Sequence, residues 1–114
     1  MLALGAIAAA SVVGSGCTNQ NGQALAKQAC VYVNSSIAMY ESSLKDKNPG
    51  QAKRLASEAY DRLQLGLQPA ALATSDNGQW QALMATISES AEIPEGVLVS
   101  ALSQQCQAAD SQSG

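Results

Sequence analysis

Histidine and phenylalanine are absent from this chain of 114 residues, and tryptophan occurs once. Without an imidazole there is no histidine triad, no histidine metal site and no histidine-held haem. Charge is also scarce. Lys, Arg, Asp and Glu make up 13% of the residues, where an ordinary globular domain has about 25%. Six Lys and Arg against nine Asp and Glu leave a net charge of −3. That excludes an extended basic surface for nucleic acid, which needs clustered Lys and Arg. Hydrophobic residues, many of them alanine, reach 46%. This content and the low net charge argue against disorder. The length fits one domain at most.

No charge falls within residues 1–16. Met1 to Val13, MLALGAIAAASVV, is apolar but too short for a stable membrane-spanning helix. It reads as the core of an export signal. Gly14, Ser15 and Gly16 follow, and then Cys17. The segment Val13-Gly14-Ser15-Gly16-Cys17 resembles a bacterial lipoprotein signal with a degenerate lipobox. In such signals the Cys takes a diacylglycerol and becomes the mature N-terminus. Gly14 stands where the family prefers Leu or Val, and no Lys or Arg precedes the apolar run. An ordinary secretory signal cut near Gly16 and a terminal helix are the other readings. Under the resemblance, residues 1–16 are signal and 17–22 a short polar tether. Two acyl chains on Cys17 would hold the protein on the outer face of the cell membrane without a transmembrane helix.

Lipidation of Cys17 leaves Cys30 and Cys106. In an oxidising compartment two such cysteines usually pair. A metal shell is a poor alternative without histidine, and a catalytic dithiol normally sits close in sequence. The expectation is a structural disulfide, with free buried thiols and redox chemistry as the alternatives. No metal site and no cofactor are expected.

Residues 23–108 read as an all-α domain. Ala26, Cys30, Val33, Ile37, Tyr40 and Leu44 share one face of a helix over about 22–46. Asn48, Pro49 and Gln51 carry the start signals of a second helix, which runs to about Leu67 with an apolar stripe through Leu55, Ala59 and Leu63. Pro69 should end or kink it, with Ala70 to Ala73 adding a further turn. Thr74 to Gly78 form a loop cluster in which Asp76 can cap a third helix, about 77–91. On that helix Trp80, Leu83, Met84, Ile87 and Ala91 share a face. Pro94 opens a fourth helix carrying Val97, Leu98, Ala101, Leu102 and Cys106, and 109–114 read as a frayed tail. No segment alternates as a strand does. The expected fold is a small antiparallel four-helix bundle stapled by one disulfide. An even number of helices brings Cys30 and Cys106 to the same end.

Chemistry is harder to find. Ser35, Ser36, Ser42 and Ser43 have no basic partner in sequence and read as surface. Ser88-Glu89-Ser90 reads as a solvated helix end, and Asp76-Asn77-Gly78 as a capped turn rather than a calcium loop. At the distal tip Lys45, Lys47, Lys53 and Arg54 would face Glu89, Glu92 and Glu95. That is either a weak surface ion-pair cluster or a bipolar docking surface. Trp80, Tyr32 and Met39 are the candidate binding residues. Trp80 is otherwise a core anchor, and the other two otherwise pack on flanking helices. A buried Glu89 or Asp61 would point instead to an enzyme.

The signal, the paired cysteines and the Trp80-x-x-Leu83-Met84-x-x-Ile87 helix together resemble small lipoproteins of high-GC Gram-positive bacteria such as mycobacteria. The likeness covers most of 12–108 and brings no catalytic residues. It implies an exported, membrane-tethered helical domain. The expected role is a non-enzymatic envelope scaffold or protein-binding module with an envelope protein as partner. A carrier or sensor of a small apolar ligand or lipid is the alternative.

Overall fold

The computed structural model describes the backbone of residues 2–111 and the side chains of 22–111. The expected signal at 1–16 and the lipidation of Cys17 lie outside the described side chains. Among the described residues five α-helices and one short 3₁₀ turn follow in order: α1 Leu2–Lys45, α2 Pro49–Leu65, α3 Leu67–Asp76, the turn Gly78–Trp80, α4 Gln81–Glu89 and α5 Glu95–Ser111. No strand occurs among the described residues. None of their helices is long and apolar enough to cross a membrane.

Local chemistry sets several of these boundaries. Asn48 caps α2 through its side chain, which accepts from the Gln51 amide at 3.1 Å, and Pro49 occupies the first turn. The second expected helix breaks at Gly66, not at Pro69. Pro69 instead lies in the first turn of α3, where a missing amide hydrogen is tolerated. Helix α3 then runs through Thr74 to Asp76, the segment expected to be loop. The cap expected of Asp76 belongs to Asn77, whose extended backbone lets its side chain accept from the Gln79 amide at 3.1 Å. Helix α5 reaches Ser111 because Ala109 stays on the buried face, three places after Cys106.

The core is built from Ala26, Ala29, Cys30 and Val33 of α1, Leu63 of α2, Ala70 and Ala73 of α3, Leu83 and Ile87 of α4, and Leu98, Leu102, Cys106 and Ala109 of α5. Trp80 joins it from the 3₁₀ turn. Long-range contacts give the directions. Gln23 donates to the Ala109 carbonyl at 3.4 Å, Cys30 is bonded to Cys106, and Ser36 meets Glu95. Rising numbers in α1 thus meet falling numbers in α5. Likewise Ala29 lies against Gly66, Ser35 against Arg62 and Ser36 against Ala59, so α2 also runs against α1. The disulfide is present, with Cα atoms 5.5 Å apart.

Several side chains depart from the expected stripes. Leu44 is 68% exposed, because it lies a turn beyond Tyr40, the residue that meets the start of α5 at Gly96. Val97 is 69% exposed, since the stripe Leu98, Leu102, Cys106, Ala109 faces inward one residue away. Ala91 is exposed in the turns after α4. Ser36 and Ser43, read as surface, are buried. Ser36 sits three places from Val33, on the face between α2 and α5, and its hydroxyl has partners there. Ser43 satisfies itself locally by donating to the Tyr40 carbonyl at 2.5 Å.

Candidate functional site

The break at Gly66 borders a surface cleft. Gly66 lies so close to α1 that a Cβ there would sit 3.1 Å from the Ala29 carbonyl, besides 3.3 Å from the Leu63 carbonyl one turn back in α2. Beside this approach runs an open cleft of about 420 Å³. Leu25, Gln28 and Tyr32 line it from α1, at helical spacing on one face. Leu65 closes the end of α2, and Gln68, Pro69 and Leu72 line the other wall from α3. Leu65 is 55% and Leu72 50% exposed. The lining is mixed, apolar side chains alternating with two amides and a phenol that can orient a bound group.

Of the candidate binding residues, Tyr32 alone lines this cleft. Trp80 is 3% exposed and belongs to the core. Its indole Nε1 is buried without a hydrogen-bond partner. Met39 is half-buried and lines neither this cleft nor the second one described below. Leu25, Leu65 and Leu72 were missed in the sequence because they fall off the main core stripes. The signal that could have found them is the Gly66–Pro69 spacing, which interrupts a helix and leaves its flanks unpacked.

A second cleft of about 280 Å³ lies at the turn after α4, between Ser88, Glu89, Glu92 and Ile93. Ser88 and Glu89 face solvent, whereas Ser90 turns inward, donates to the Ile87 carbonyl at 2.5 Å and accepts from Gln64 Nε2 at 2.6 Å. The hydroxyls flanking Glu89 therefore point apart. Glu89 and Asp61, the two carboxylates that would have pointed to catalysis, are exposed.

The inward carboxylate is Glu95, at the start of α5. It leaves the expected acidic group at the tip and turns toward α1 and α2. Fully buried Ser36 holds its Oγ 2.7 Å from Glu95 Oε2 and 2.5 Å from the Ala59 carbonyl. Glu95 Oε1 is buried without a hydrogen-bond partner. Burial pushes the Glu95 carboxyl above its ordinary value, against the weaker pull of the Ser36 hydroxyl. Glu95 lines neither of the two clefts.

No family model matches the chain, and comparison with curated proteins and with solved structures finds no match.

Proposed function

We propose that this chain is a non-enzymatic envelope lipoprotein, anchored to the outer face of the membrane through Cys17. Its domain acts as a scaffold or protein-binding module. On this reading the helices form a small antiparallel four-helix bundle, in which α2 and α3 serve as one helix broken at Gly66. The observation that carries the binding role is the cleft beside Gly66, where Leu65 and Leu72 present apolar side chains to solvent. Exposed apolar groups rimmed by polar ones are a recurring mark of partner surfaces. The disulfide supports the exported setting, since such bonds persist in oxidising compartments. The cleft also suits a small apolar ligand oriented by Gln28, Gln68 and Tyr32, which is the second reading.

Intact mass spectrometry without reductant, on protein extracted from the host membrane in mild detergent, tests the proposal. The expected mass is the chain from Cys17 plus acyl groups, less the hydrogens lost in one disulfide. An unprocessed chain, or one recovered only from the aqueous fraction, overturns the anchor. A co-extracted small molecule that is lost on Leu72→Lys substitution replaces the scaffold by the carrier. Loss of a cross-linked envelope protein in the same variant, with the fold intact, supports the scaffold.

A further inference from the structure

A serine hydroxyl has one hydrogen, yet Ser36 Oγ stands between two acceptors. The Ala59 main-chain carbonyl, 2.5 Å away, has nothing to donate, so that contact is a hydrogen bond only when Ser36 gives its hydrogen there. That leaves only an oxygen lone pair toward Glu95 Oε2 at 2.7 Å. An ionised carboxylate would place lone pair against lone pair. A carboxylic acid supplies the missing hydrogen, and the chain then reads Glu95 O–H to Ser36 Oγ, and Ser36 O–H to the Ala59 carbonyl. The surroundings fit a neutral group. Glu95 Oε1 is buried with no donor upon it, and stranding half of an ionised carboxylate in this way is costly.

Among the described residues no cation compensates Glu95. On α1 the titratable neighbour is Tyr40, whose hydroxyl lies against Gly96. On α2 the guanidinium of Arg62 donates to Ser35 at 2.9 Å. Glu89 and Glu92, in the segment leading to α5, are exposed and of the same sign. What raises the Glu95 carboxyl is its burial.

We propose that Glu95, Ser36 and the Ala59 carbonyl form a proton-dependent latch fastening the start of α5 to α1 and α2. The far part of α5 is held independently by the Cys30–Cys106 bond. Helix α5 is therefore hinged at the disulfide and latched at Glu95. When Glu95 loses its proton, the carboxylate faces the Ser36 lone pair, and ionisation is relieved by moving toward water. The start of α5 and the turns of 90–94 lift, while the stretch around Cys106 stays in place.

The sign follows from which form the fold prefers. Folding raises the Glu95 carboxyl above its unfolded value. The latch is fully formed below the unfolded carboxyl range and is lost as pH rises through the higher folded value.

Two measurements on the oxidised full chain test this. The first is ¹³C NMR titration of side-chain carboxyls, with Glu95 assigned by E95Q. Glu95 should titrate above the ordinary carboxyl range, and titration within that range overturns the latch. The second is amide hydrogen exchange, corrected for intrinsic rate, from acid to neutral pH. Protection of 90–98 should fall at least several-fold with rising pH, while protection of 102–109 holds. E95Q, which keeps a hydrogen donor but cannot ionise, should keep 90–98 protected throughout. Protection of 90–98 that does not change with pH in the unsubstituted chain overturns the proposal. So does an equal pH dependence in E95Q. Should E95Q fold poorly, Ser36→Ala replaces it, and 90–98 should then exchange fast even in acid.

Discussion

The two ends of the α1–α5 contact are built from different materials. At one end Cys30 and Cys106 are covalently joined, among Ala26, Ala29, Ala70, Ala73 and Ala109, all fully buried. Small side chains let the helices approach closely there, and nothing ionisable is needed. At the other end the contact is polar, with Ser36, the Ala59 carbonyl and Glu95 meeting under the first turn of α5. Gln64 and Ser90 add a second buried polar bridge between α2 and the turn after α4. An apolar covalent end is insensitive to pH, whereas a hydrogen-bonded carboxyl end is not. The same pair of helices thus combines a fixed joint with a conditional one.

The largest effect should come from breaking the fixed end. Cys30→Ser removes a link across a sequence separation of 76 residues. It should lower unfolding free energy by about 4–5 kcal/mol on the chain-entropy account. Cys106→Ser should cost the same, and non-reducing denaturant unfolding measures both. If the two variants differ widely, a contact other than the bond holds that end. At the conditional end, Ser36→Ala should cost about 1–3 kcal/mol in acid, because a buried carboxyl and a carbonyl both lose their partner. A loss as large as that of Cys30→Ser would erase the proposed distinction between the ends. The smallest effect concerns Gly66, between α2 and α3. Its backbone is already helical, at φ −76° and ψ −13°, so alanine gains helix propensity there. The added methyl group nevertheless meets two carbonyls that belong to helix backbones and cannot retreat. Gly66→Ala should therefore destabilise by about 1 kcal/mol in thermal unfolding. A stabilised variant would mean that α3 can move away from α1, and that the cleft is not rigid.

How much of this was legible varies by residue. Cys30, Val33, Leu63, Leu83, Ile87, Leu98, Leu102 and Cys106 were readable as core, because helical periodicity puts them on one face before any partner is known. The Asn48 cap and the all-α class were readable for the same local reason. Ser36 was not, since a small hydroxyl on a helix looks the same whether it meets solvent or a neighbouring backbone. Leu44 and Val97 misled in the opposite sense, because periodicity names a face but not how far the partner helix extends along it. Pro69 drew attention away from Gly66, where close approach to α1 places the break. Of the cleft, only Tyr32 was singled out, as a residue off the main seam.

Composition, spacing and caps by themselves pointed to the helical class and most of the core, because each depends on interactions within a few residues; the pairing of Cys30 with Cys106 was expected only once the lipoprotein resemblance set Cys17 aside. Tertiary structure alone decided that exposed Leu65 and Leu72 lie beside Gly66 and that Glu95 turns inward onto Ser36. Those outcomes depend on which helix lies opposite and on how closely it approaches. Burial, hydrogen-bond partners and the ionisation of a carboxyl all follow from that separation, which no local pattern encodes.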